Sequence, residues 1–187
     1  MELIEALNTR TTAKTYGDTA PTKEHLAIAL QAAVRAPDHG RLRPWRFMII
    51  EGAQRRKFGD LLAASALRRV PGLSEGDLQR ERDKAMRAPM VIVVVCRIVP
   101  GTKVPAIEQI LAAGAAAQNI LLALHALGYA NAWKTGEAAY DTDVKKSLGL
   151  AADDHIVGFI YAGGGVGASF GTGKAASVQD AILDFPG

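Results

Sequence analysis

The chain predicts an α+β fold, a sheet of short strands with one long buried helix laid across a face. Three observations carry that expectation. Residues 107–128, IEQILAAGAAAQNILLALHALG, are enough for about six helical turns at ~3.6 residues per turn. Their polar positions never gather into one wet stripe: Glu108 falls with Asn119, Gln118 with His125 elsewhere, and Gln109 points a third way. Such a helix belongs in a core, and Ala112 to Ala117 would let neighbours approach its backbone closely. Met90–Cys96, MVIVVVC, is apolar at every position, as a central strand covered on both faces must be. Finally, helical and strand patterns are mixed without regular β-α-β alternation, which favours α+β over a doubly wound parallel sheet.

Size and composition narrow the function. A chain of 187 residues, 49% hydrophobic, suits a single domain over 1–187 with a real core. The lone cysteine, Cys96, excludes an internal disulfide and lies in the apolar strand, where it reads as a small buried hydrophobe rather than a nucleophile. The opening Met1-Glu-Leu-Ile-Glu starts an acidic-apolar helix, without the basic lead or cleavage site of a signal peptide, and the expectation is a cytoplasmic protein. Residues 110–130 have the length of a bilayer span. Gln118, Asn119 and His125 would then sit in hydrocarbon, and no second span exists, so no membrane association is expected. The net charge is +3, and the one cationic-aromatic run, Arg41-Leu-Arg-Pro-Trp-Arg46, is too short for a nucleic-acid surface.

The elements follow in order. Helical periodicity marks 2–8 and then 22–36, where Pro21, Thr22 as N-cap and Glu24 in the first turn start a helix that Pro37-Asp38-His39-Gly40 ends. Residues 47–51, FMIIE, read as a short buried strand closed by Gly52. Residues 54–67 and 74–86 are charged amphipathic helices either side of the break Val70-Pro71-Gly72, and Pro89 leads into the central strand. After the long helix, 129–133 (YANAW) form a strand, 141–148 a helix capped by Asp141 and stopped by Gly149, and 156–161 (IVGFIY) the last strand. Residues 163–187 have no regular period and are expected as an irregular tail able to wrap a neighbour, with Gly163 to Gly165 able to bring backbone N–H groups close to a ligand.

Several familiar motifs fail. In GGGVGASFGTGKAAS a phosphate loop would need glycine where Ala168 stands and a hydroxyl where Ala175 stands, and the dinucleotide fingerprint breaks at Ala168 or Phe170. His25, His39, His125 and His155 have no i, i+4 pairing, and one cysteine cannot anchor zinc, so no metal site is expected. There is no Gly-x-Ser-x-Gly nucleophile elbow.

Two stretches do carry chemistry. In Asn8-Thr-Arg-Thr-Thr-Ala-Lys-Thr-Tyr16, Arg10 and Lys14 bracket the hydroxyls of Thr11 and Thr12, a set able to hold a phosphate. Taken alone, a solvated turn after a helix is the commoner arrangement of such residues. The second stretch, Arg35-Ala-Pro-Asp-His-Gly-Arg-Leu-Arg-Pro-Trp-Arg-Phe47, resembles the A-P-(S/D)…Q-P-W-x-F signature of the nitroreductase family, flavin-dependent oxidoreductases. The N-terminal loop resembles that family's R-(R/H)-S-x-(K/R)-x-F phosphate motif, with Thr12 in the Ser place and Tyr16 in the Phe place. Tyr129-Ala-Asn-Ala-Trp-Lys-Thr-Gly136 resembles its strand after the long helix, and Ile156-Val-Gly-Phe-Ile-Tyr-Ala-Gly163 its closing strand.

The resemblance implies a nitroreductase-like mixed or antiparallel sheet and a homodimer binding FMN at two equivalent interface sites. Arg10, Thr11 and Thr12, with Lys14, would hold the phosphate and ribityl end. Arg35 and His39 would close over the same FMN from the partner subunit, and Trp133, Lys134 and Thr135 would line its other side. The end of the long helix, Ala123, Leu124, His125, Ala126, Leu127 and Gly128, would meet the nicotinamide nucleotide. The implied reaction passes a hydride from NADH or NADPH through FMN to a nitroaromatic, quinone or similar acceptor. Lys134 or Arg35 would stabilise the reduced flavin, His39 would serve as a structural hydrogen bond, and no side chain would act as nucleophile or base. A non-catalytic FMN-storage protein and a flavin enzyme of another reaction type are the alternatives. This chain departs from the family pattern at Arg43, where many members have Gln, and Lys174 is the one basic residue late in the tail.

Overall fold

The computed structural model describes residues 1–165 and 181–183, so Lys174 and the proposed crossing of the tail lie outside the described residues. In order the chain forms α1 (Leu3–Thr9), α2 (Lys23–Ala33), a short 3-10 turn (His39–Arg41), β1 (Trp45–Glu51), α3 (Gln54–Arg69), α4 (Glu75–Lys84), β2 (Met90–Cys96), α5 (Ala106–Ala126), β3 (Tyr129–Lys134), a second 3-10 turn (Glu137–Ala139), α6 (Thr142–Ser147) and β4 (His155–Gly164).

The strands form one sheet in the order β1-β2-β4-β3, every pair antiparallel. The uniformly apolar β2 is explained by its central place: no residue in it is more than 2% exposed. Its alternate side chains serve two cores. Met90, Ile92, Val94 and Cys96 pack toward α2 and α5, while Val91, Val93 and Val95 pack with Phe58 and Leu62 of α3 and Val144 of α6. The sheet is thus sandwiched between helices, the α+β arrangement the sequence predicts.

The long helix, α5, lies across the first face. Its small inner side chains, Ala113, Ala116 and Ala117, are fully enclosed with Ile120 and Leu124, and Asn119 Nδ2 donates to the Ala32 carbonyl at 3.0 Å, tying α5 to α2. Its outer side differs from the expectation of burial nearly all round. Ile107 and Leu111 are 59% and 64% exposed, and Gly114, Ala115, Gln118 and Leu122 continue the same helical side half-buried. The physical reason is that an apolar side chain fits a core and an unpartnered interface equally well. The exposed Leu3, Ile4 and Leu7 of α1 add to the apolar surface.

Other boundaries shift for readable reasons. Helix α2 stops at Ala33 rather than 36, because Pro37 disfavours helical backbone at the residue before it. Strand β4 runs on through Gly164, so Gly163 and Gly164 belong to the sheet and not to the irregular tail. The predicted caps are in place: Thr22 accepts from His25 N, and Asp141 accepts from Asp143 N and Val144 N.

Candidate functional site

Arg10 leaves α1 in extended conformation, and the segment after it runs beside the edge strand β3. Ala13 N donates to Asn131 O at 2.9 Å, Gly17 N to Gly164 O at 2.7 Å, and Gly164 N to Thr19 O at 2.8 Å. The crossing depends on Gly163, where an added Cβ would lie 2.7 Å from the Gly17 carbonyl oxygen. Gly163 and Gly164 therefore serve the close approach of the chain's own N-terminal segment, which corrects the expectation that their N–H groups face a ligand. The effect is to lay the segment that carries Arg10, Thr11, Thr12 and Lys14 beside β3, which ends in Trp133 and Lys134 and is followed by Thr135. Lys14, Lys134 and Thr135 are exposed, Arg10 and Thr11 half-buried. Among the described residues no carboxylate pairs with Arg10, Lys14 or Lys134. Uncompensated cations beside hydroxyls suit a phosphate.

Trp133 is held rigidly. The β2–β4 register slips at Val157, and the carbonyl of that bulged residue accepts from Trp133 Nε1 at 3.1 Å. Gly158 leaves room for the indole, since a Cβ there would overlap it, and the far edge of the ring rests near Gly114 of α5. The result is a half-buried aromatic platform in a fixed slot.

The end of α5 is a packing seam. Leu124 is in the core, and His125, 3% exposed, lies with its Nε2 2.9 Å from Thr9 Oγ1. Thr9 Oγ1 also donates to Glu5 O at 2.7 Å. Burial, and then the nearby Arg10, push the His125 pKa below its ordinary value and keep the ring neutral. Of the segment predicted to meet a nucleotide, Leu124 and His125 are thus enclosed, Ala123, Ala126 and Leu127 are half-buried, and Gly128 is exposed.

Arg35 and His39 lie elsewhere. His39 Nδ1 sits 2.6 Å from Glu108 Oε2, at the first turn of α5. Thr9 and Arg10 are anchored at His125, seventeen residues along the same helix. At ~1.5 Å rise per residue the two anchors are about 25 Å apart. Arg35 lines a groove of about 580 Å³ with Asp38, Arg41, Arg43 and Trp45. Within one chain the start of the basic loop is thus tied to the C-terminal end of α5 and His39 to its first turn, with Trp133 between them near Gly114.

Other reactive groups are quiet. Burial and the neighbouring Asp154 push the Cys96 thiol up to about 11, and burial raises Tyr16 and Tyr161 to about 12. The sequence reading missed Val157, Gly158 and Gly163 as supports of the site. A glycine within an apolar strand is the signal that marks Gly158 and Gly163, and no local signal marks Val157.

Comparison with known proteins shows the family. The nitroreductase family model matches residues 7–164. The chain is 35% identical over 163 residues to "Putative NAD(P)H nitroreductase YdjA" of Escherichia coli K12, covering 87% of this chain and 88% of that one. Among solved structures, a nitroreductase-like family protein from Bacillus cereus superposes with a TM-score of 0.84 at 24% identity, covering 100% of this chain and 97% of that one. A nitroreductase-family structure in complex with FMN from Desulfovibrio desulfuricans gives 0.77 at 25% identity, covering 100% and 98%. With both strand edges, the basic loop and the whole sheet inside the matched span, the chain belongs to the nitroreductase family.

Proposed function

We propose that the chain is an FMN-dependent NAD(P)H oxidoreductase of the cytoplasm that works as a homodimer, each site assembled from both subunits. The carrying observation is the split of the site residues. Thr9, next to Arg10, and His39 are tied to opposite ends of α5, at anchors about 25 Å apart at ~1.5 Å rise per residue, which supports a site drawn from two subunits. A two-fold axis that sets two α5 helices antiparallel would put each helix's first turn beside the other's last, bringing the Arg35–His39 segment of one subunit toward the basic loop of the other. The exposed apolar side of α5 is the surface such a pairing would cover.

The residues fit FMN. Arg10 and Lys14, unpaired with any described carboxylate, would hold the phosphate, with Thr11 and Thr12 donating hydroxyl hydrogen bonds. FMN, when bound, supplies the hydride chemistry. The locked Trp133 indole would keep one wall flat and exclude water, and Lys134 with the partner's Arg35 would place positive charge beside the flavin. His39, tied to Glu108, would position its loop rather than move a proton. No nucleophile is called for, and the high Cys96 pKa supplies none. Nitroaromatics and quinones are the acceptors that this arrangement suits, since they need an electron donor and no protein acid.

The experiment is the visible spectrum of the purified protein before and after anaerobic NADPH. A flavin spectrum that bleaches supports the reading, with FMN released on denaturation. A colourless protein that takes up no added FMN would sink it, and a coloured protein that no pyridine nucleotide reduces would favour the storage alternative.

A further inference from the structure

We infer that Arg41 and Arg43 form a subsite for the 2′-phosphate of the nicotinamide nucleotide, and so select NADPH over NADH. The inference rests on the flavin-oxidoreductase reading above and names the reductant for it. Arg35, Arg41 and Arg43 line one groove of about 580 Å³. None of the three guanidinium groups has a hydrogen bond or ion pair to a described residue. The carboxylate in that lining, Asp38, is engaged by the loop itself: its Oδ2 accepts from Arg43 N at 2.7 Å, and its carbonyl accepts from Arg41 N at 3.2 Å. Arg46 is turned to the Arg43 and Trp45 carbonyls, at 2.8 and 2.7 Å.

The loop backbone is unusual as well. Arg41 and Arg43 have φ of 55° and 50°, a region where glycine or asparagine is the relaxed choice, and both positions carry arginine instead. Asp38 holds them there. Arg35 ties the groove to the flavin, because the proposed function assigns it to that cofactor. The nucleotide must dock against the same flavin. NADH and NADPH differ only by a phosphate monoester, which is largely dianionic at neutral pH, and paired guanidinium forks gain more from it than from a singly charged diester.

Arg41→Asn with Arg43→Asn is the test, since asparagine tolerates the left-handed backbone. Two readouts apply. Wild-type protein should bind 2′,5′-ADP more tightly than 5′-AMP by calorimetry, a measurement that needs no flavin, and the double variant should lose that difference. In turnover, the ratio of kcat/KM for NADPH to that for NADH should fall roughly tenfold to a hundredfold, the range expected for one or two charge-assisted hydrogen bonds. An unchanged ratio, or an equal loss of both nucleotides, overturns the inference. A protein that shows the 2′,5′-ADP preference but never takes up FMN would overturn the flavin reading and leave the subsite standing.

Discussion

At the scale of single residues, His125 links the basic loop to the long helix, and its protonation state follows from its surroundings. Its pKa is held down by burial first and by Arg10 second. The unfolded chain takes up the proton near the ordinary value of about 6.5 while the native chain resists. This residue's contribution is therefore complete above that pH and is lost as the pH falls below it. The melting temperature of wild-type protein should drop from pH 7 to pH 5 more steeply than that of His125→Gln. Parallel curves would remove His125 from the explanation. Gly158 makes a second case. A methyl group there overlaps the Trp133 indole and lies 3.1 Å from the Lys134 carbonyl oxygen. Gly158→Ala should cost about 2 kcal/mol by urea denaturation, in the range of overpacked cores, and should shift the tryptophan emission; an unchanged midpoint would mean the slot is slack. The sequence identifies Trp133 by resemblance but is silent on what holds it, because that contact spans two strands and a bulge.

At the scale of elements, local signals were legible and long-range ones were not. The Asp141 cap could be read from its place before α6, and the structure adds what no local pattern encodes. Burial pushes the Asp141 carboxyl up, but the hydroxyl of Ser65, the N–H groups of Asp143 and Val144 and the Arg68 guanidinium outweigh it and hold the pKa at about 2. Ser65 is itself fully buried and gives its proton to Asp141 Oδ2 at 2.5 Å. A depressed native pKa stabilises above the ordinary value of 3.8, and that stability is lost as the pH falls toward 2. Asp141→Ala should cost about 2 kcal/mol at neutral pH, the cap and the stranded hydroxyl together, with the difference from wild type narrowing below pH 4 in denaturant titrations. The bounds of β2 are legible because seven apolar residues sit between Pro89 and Arg97. The extent of β4 is not, since Gly163 and Gly164 have the composition of a loop and are held in the sheet where Gly17 crosses them. The start of β1 at Trp45 was hidden by the arginines around it.

At the scale of the whole molecule, composition marked α5 as the organising helix but could not divide its surface between core and interface. Ile107 and Leu111 face away from the sheet. Leu111→Glu should leave the far-UV circular dichroism intact, give a monomer by sedimentation and abolish flavin retention; a flavin-loaded monomer would contradict a shared site. The same logic yields the most direct measurement. Arg10→Ala/Lys14→Ala and Arg35→Ala/His39→Ala should each fail to retain FMN alone. Co-expressed with different tags and isolated as the mixed dimer, they should retain one FMN per dimer, because one of the two sites then draws both of its halves from unaltered sequence. A mixed dimer with no flavin would contradict the account.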